Sequence, residues 1–130
     1  MSPKVAVATL DSICNQVNIY FPEGKLDDIK RAYLFADKAH HGQKRSSGEP
    51  YMTHPTAVAQ TLANLHLDIP SIMTGLLHDT VEDTVATIEQ LTTMFGEEVA
   101  QLVDGVTKLG KIRFRTSEEK QAENFRKMVV

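Results

Sequence analysis

A chain of 130 residues is long enough for one domain with a real hydrophobic core. Hydrophobic residues make up 42% and charged residues 24%, the balance of an ordinary globular protein, and a formal net charge of −3 gives no global pull toward nucleic acid or anionic membrane. The lone Cys14 excludes an intramolecular disulfide and a cysteine-based zinc cluster, and no apolar run approaches the roughly 20 residues of a membrane helix.

In chain order, Met1 to Leu10 carries one lysine and a broken apolar run, so no secretory signal is expected and a reducing cytoplasm is the natural compartment. Lys25 to His41 places Leu26, Ile29, Ala32, Tyr33, Ala36 and Ala39 on one helical face. Gly42 to Pro50 is a loop rich in Gly, Ser and basic residues. Pro55 suits the first turn of a helix carrying Val58, Leu62 and Leu65. Asp68 or Ser71 starts the next, whose Ile72, Met73, Leu76 and Leu77 belong to the core. Thr87 to Gln90 has capping-box spacing for a helix through Phe95, and Gly96 ends it. Glu97 to Leu109 starts again with Val99, Leu102, Val103 and Val106 in helical register. Thr116 to Glu119 caps a last helix, and Ala122 to Val130 runs to the end without a stop signal, as expected of a piece of a longer chain rather than a short protein with a frayed end. No strand-like alternation of useful length is present. The expected fold is all-α, a compact helical bundle, with residues 1–130 forming a single domain, incomplete at its C-terminal end.

The chemistry concentrates in His78-Asp79-Thr80-Val81-Glu82-Asp83, with His54 upstream between Thr53 and Pro55. Adjacent His and Asp offer a neutral nitrogen and a carboxylate oxygen, a mixed donor set that suits a first-row divalent metal. On a helix Asp79 and Asp83 are four apart and Asp79 and Glu82 three apart, so the acids share one side. Three carboxylates this close repel one another unless a cation or a substrate proton offsets them. Lone histidines are more often core or capping residues, yet two with three acids make a metal centre with its own acid–base groups. The second candidate is the loop Gly42 to Tyr51. Lys44 and Arg45 can neutralise phosphate, Ser46 and Ser47 add hydrogen-bonding groups, and the glycines allow close backbone approach. Lys108 to Arg115 alternates charge with apolar residues and reads as a solvated connector, with Leu109, Ile112 and Phe114 packed inward, ahead of a phosphate or partner surface. His40, His41 and His66 lack acidic company and read as helix-end or surface residues.

These residues carry a resemblance. Ala39-His40-His41-Gly42-Gln43-Lys44-Arg45, Ser47-Gly48-Glu49-Pro50-Tyr51, His54-Pro55, Leu76 to Thr84, Phe95 to Val99 and Gln121 to Met128 occur together and in order. From about Arg31 onward the chain resembles the N-terminal HD-type hydrolase domain of the long RelA/SpoT homologues. Those are the stringent-response enzymes that make and degrade guanosine tetra- and pentaphosphate. The resemblance implies that His54, His78 and Asp79 coordinate manganese, Mn2+, and that Glu82 and Asp83 activate the hydrolytic water. It makes Arg45 a substrate-binding arginine and puts Lys44 and Ser46 in the segment that cradles the guanine nucleotide. In the family a fourth ligand, an aspartate, and a substrate-binding asparagine lie on a later helix, beyond Val130.

The implied reaction is hydrolysis of guanosine 3′,5′-bis(diphosphate), or the pentaphosphate, to GDP or GTP and pyrophosphate, within a longer bifunctional enzyme. Its alternatives are an HD phosphohydrolase of another nucleotide and a helical module that binds nucleotide or a partner without turnover. The expected partners are a guanine nucleotide and, through an apolar face left by the chain end, a second copy; membrane and direct nucleic-acid binding are not expected.

Overall fold

Three helix starts in the described residues are set by short polar side chains, Thr9, Asp68 and Thr87, that accept from main-chain N–H groups one turn on. The computed structural model describes residues 7–109 apart from residue 23. Thr9 accepts from the Ser12 N–H while the Ser12 hydroxyl accepts from the Thr9 N–H, a reciprocal cap that opens α1, Leu10–Tyr20. Helix α2 is Leu26–Ala39, with Asp27 and Asp28 in its first turn, and α3 is Thr53–Asn64. Asp68 caps α4, Ile69–Leu77, accepting from Ser71 N–H at 2.9 Å, so of the two residues offered as starts the first is the cap. A single turn, α5, follows at Thr80–Asp83. Thr87 caps α6, Ile88–Phe95, through Gln90 N–H, and Gly96 ends it at a φ of 95°, a left-handed value that favours glycine. Residues 97–109 form α7.

Among the described residues the secondary structure is helical, with one isolated antiparallel bridge between Lys44 and Pro50, so the all-α expectation holds. Periodicity names no element before Lys25. Helix α1 occupies that stretch, started by a cap whose third position is Ser rather than Glu or Gln. The expected last helix from Thr116, the segment Gln121 to Met128, and Ile112 and Phe114 lie outside the described residues. Leu109, expected to pack inward, is half exposed. No described helix is long and apolar enough to cross a membrane.

Helix α4 is the central element, packed against both α2 and α3, while α1 lies across α3 and α2. Its Ile72, Met73, Leu76 and Leu77 are all buried, as the sequence predicts, and meet Ile29, Ala32 and Ala36 of α2 in one cluster with Ile13 and Val17 of α1. The buried face of α3 differs from expectation. Pro55, Thr56, Ala59 and Ala63 are buried, whereas Leu65 is 66% exposed. Gly75 of α4 is where the two helices approach: a Cβ there would stand 2.8 Å from Leu62 Cδ1, 3.5 Å from Val58 Cγ1 and 3.6 Å from the Ala59 Cα, so the α3 side chains pack directly on the glycine. Val58 and Leu62 also line a groove of about 390 Å³ with His78 and with Leu102 and Val106 of α7.

The cap on α4 has a measurable consequence. Replacing Asp68 with Ala is expected to cost about 1 kcal/mol in urea or thermal unfolding. Hydrogen bonds from the Ser71 hydroxyl and N–H hold the Asp68 carboxyl below the usual carboxylate range. A pKa lowered on folding adds stability that is present above the unfolded pKa and lost as pH falls through the folded one. Asp68→Asn should therefore keep the cap and flatten that part of the acid dependence; an unchanged acid profile would remove Asp68 from it.

Candidate metal centre

The polar cluster forms where three buried segments end. His54 lies in the first turn of α3, His78 follows the last residue of α4, and Asp79 precedes α5. His78 Nδ1 lies 2.8 Å from the Gly75 carbonyl oxygen. A carbonyl only accepts, so Nδ1 carries the proton and Nε2 presents its lone pair. That nitrogen is 3.1 Å from Asp79 Oδ1, and His54 Nε2 is 3.6 Å from Asp79 Oδ2. The three ligand atoms lie within 4.8 Å of one another, all partly buried.

Two lone pairs facing each other at such distances require a cation between them, either a proton or a metal. Burial opposes a charge on His78, but the Asp79 hydrogen bond and charge outweigh it and raise its pKa. Burial likewise works against the Asp79 charge, but the His78 hydrogen bond and charge, together with the hydrogen bond from the Tyr51 hydroxyl, hold its pKa below the usual range. The donor set, two imidazoles and a carboxylate with one imidazole oriented by a main-chain carbonyl, fits a divalent transition metal. These three are the residues named from the sequence.

Tyr51 completes the cluster. Its hydroxyl lies 2.8 Å from Asp79 Oδ2 and 3.2 Å from Asp83 Oδ2, so one phenol proton stands between two carboxylates. Burial and those acids raise its pKa strongly, which keeps the proton in place as a donor. The rings of His40, Tyr51, His54 and His78 form a row, with successive centroids 4.7, 6.0 and 5.8 Å apart. Asp83 is thus brought to the cluster, helped by the i to i+4 bond from its N–H to the Asp79 carbonyl. Glu82 is exposed, and no hydrogen bond or ion pair among the described residues joins it to the cluster.

The basic loop is closed at its base. Tyr51 N–H donates to the Gln43 carbonyl, Arg45 N–H to the Glu49 carbonyl and Gly48 N–H to the Arg45 carbonyl, with Gly48 at a φ of 91°. Lys44, Arg45 and Ser46 are exposed, and among the described residues no carboxylate pairs with either cation. The loop therefore holds its backbone fixed and its charges uncommitted. His40 is a helix-end residue, as expected, capping α2, and it is buried there at 2% exposure. Tyr51, Gln43 and His40 all support the cluster without being marked as site residues by spacing; the one hint was that Tyr51 stands three residues before His54.

An all-helical domain whose His-Asp pair sits at a helix end beside a second histidine defines a class, and residues 32–130 match the HD domain family; the chain belongs to it. It is 60% identical over 117 residues to a GTP pyrophosphokinase of Myxococcus xanthus, covering 88% of the chain and 16% of that protein. It is 51% identical over 120 residues to the bifunctional (p)ppGpp synthase/hydrolase SpoT of Escherichia coli K12, covering 92% of the chain and 17% of that protein. With a guanosine-3′,5′-bis(diphosphate) 3′-pyrophosphohydrolase of Haemophilus influenzae the identity is 59% over 97 residues, 75% of the chain and 14% of that protein. The chain thus spans about one sixth of the length of these curated relatives. The resemblance read from the motifs is borne out.

Manganese titration followed by calorimetry or electron paramagnetic resonance tests the geometry. Asp79→Ala should abolish or severely weaken binding, and Tyr51→Phe, which removes only the hydroxyl, should weaken it about tenfold. Unchanged affinity in Asp79→Ala would place the metal elsewhere.

Proposed function

We propose that this domain hydrolyses guanosine 3′,5′-bis(diphosphate), and the corresponding pentaphosphate, to GDP or GTP and pyrophosphate, with manganese held by His54, His78 and Asp79. The observation that carries the reading is a half-buried His-His-Asp cluster whose flanking residues, Gln43 and Tyr51, are also the two ends of an exposed basic loop. A metal-ligating cluster and a phosphate-binding segment share one foundation. Relatives named for this hydrolysis, 51% and 59% identical, support the choice of substrate.

The reaction transfers a phosphoryl group to water. The water oxygen bonds to the phosphorus attached to the ribose 3′ oxygen, the bond between that phosphorus and that oxygen breaks, and pyrophosphate departs. The water loses a proton and the ribose oxygen gains one. Bound manganese would supply Lewis acidity, acidifying water and drawing charge from a phosphoryl oxygen. Asp83 takes the proton, and Tyr51 keeps its carboxylate turned toward Asp79. Glu82, one residue earlier and open to solvent, relays the proton outward. Arg45 grips phosphate oxygens with its planar fork, Lys44 adds a second positive charge, and Ser46 donates a hydrogen bond on the guanine nucleotide.

Pyrophosphate release from the tetraphosphate in the presence of manganese is the test. His78→Ala is expected to abolish turnover, and undiminished turnover would sink the assignment. Asp83→Asn should lower kcat about a hundredfold, the scale of general-base catalysis. Arg45→Ala should raise KM about tenfold, the worth of one charge-assisted hydrogen bond, with a smaller change in kcat. Binding of the nucleotide without release in a chain that also carries the later helix would identify a binding module instead.

A further inference from the structure

We propose that His40 is a positioning residue that fixes the acid turn α5 against the basic loop, acting through Gln43. This rests on the reading of Asp83 as proton acceptor. Gln43 Nε2 donates to the Asp83 main-chain carbonyl at 2.9 Å. That contact admits only the amide nitrogen, so Gln43 Oε1 faces the other way, 3.0 Å from His40 Nδ1. Facing an acceptor, Nδ1 must carry the proton. In the neutral ring Nε2 is then a bare acceptor, and it is buried with no hydrogen-bond partner among the described residues.

An unpaired buried acceptor is unfavourable, and an apolar side chain of similar size would avoid it. What imidazole adds at this place is the Nδ1–H donor to Gln43. Every polar group of Gln43 is engaged: its N–H donates to the His40 carbonyl, its carbonyl accepts from Tyr51 N–H, and its amide bridges His40 to Asp83. Gln43 is therefore the joint between the loop that carries Lys44 and Arg45 and the turn that carries Asp83. His40 touches the same turn by a second route, since its ring lies tilted on Tyr51, whose hydroxyl reaches Asp79 and Asp83. Neither His40 nor Gln43 is placed on substrate. Their effect is to hold the phosphate-binding charges and the proton acceptor at one separation.

The test uses the full chain and two readouts. Long-range nitrogen–proton NMR of the unsubstituted protein should show His40 with Nδ1 protonated and Nε2 bare, and Gln43→Met should release that preference. A ring protonated at Nε2 alone would overturn the proposal. In pyrophosphate release with manganese, Gln43→Met and His40→Gln should each lower kcat about fivefold, the worth of one hydrogen bond, with KM unchanged. His40→Asn, whose amide nitrogen can stand where Nδ1 stood, should recover most of the loss. Equal losses in His40→Asn and His40→Gln, or a loss of melting temperature with kcat intact, would reduce His40 to a packing residue and overturn the proposal. Release is measured in a chain that also carries the later helix with the fourth ligand; if that chain releases no pyrophosphate the assigned reaction fails, while the NMR outcome still decides the His40–Gln43 joint.

Discussion

The cluster depends on one hydrogen bond, from His78 Nδ1 to the Gly75 carbonyl. The last carbonyls of a helix have no partner within it, and His78, standing just past the end of α4, supplies one. Satisfying that carbonyl fixes the ring, its tautomer and the direction of Nε2, which then faces Asp79. A need of the helix end becomes the orientation of a ligand. The same glycine also sets how closely α4 approaches α3, because a Cβ there would meet Leu62. Glycine inside a helix is about 1 kcal/mol worse than alanine. Here the close packing it permits offsets that and sets the distance between the helix that starts with His54 and the helix that ends with His78.

Charge then organises what surrounds the pair. Asp79 and Asp83 share one phenol proton, so their mutual repulsion is only partly relieved inside the protein. Lys44 and Arg45 pair with none of the described acids and stay exposed on a loop whose backbone is closed by Gln43 and Tyr51. The positive groups face solvent, Asp79 is partly withdrawn from it, and among the described residues neutral hydrogen bonds join the loop to the acid turn. Had the lysine and arginine paired with the acids, this surface would be electrically quiet. Cavity size is no guide to this chemistry. A space of about 710 Å³ between Val17, Tyr20, Met73 and Phe95 contains no member of the cluster.

Much of this was legible because local rules agree with the fold. Asp68, Thr87 and Gly96 announce helix ends through caps and a left-handed glycine, and Ile72 to Leu77 is apolar enough to be buried all round. The His-Asp pair falls at the end of that run, where ligands meet a rigid base. What stayed hidden was relational. That Ala59 and Leu62 meet α4 depends on Gly75, which lies more than ten residues later and has no side chain to keep them apart. Nothing in the spacing of His40, Gln43 and Tyr51 tells that their side chains meet an acid turn some forty residues on, because that contact exists only once α4 has folded back between α2 and α3.

The row of rings from His40 to His78 shows why those hidden residues belong to the site. Each ring touches the next, and every member makes at least one polar contact with a main-chain carbonyl, a carboxylate or Gln43. An aliphatic row would pack as well, yet it would leave the Gly75 carbonyl, Gln43 Oε1 and the Asp79 and Asp83 carboxylates without donors. Planar side chains that pack with their faces and hydrogen-bond at their edges meet both demands in one layer. The layer runs from the end of α2 to the end of α4 and passes the start of α3 between them. Displacing one ring therefore moves a metal-ligand candidate and the base of the basic loop together, so the row of rings holds the two in register.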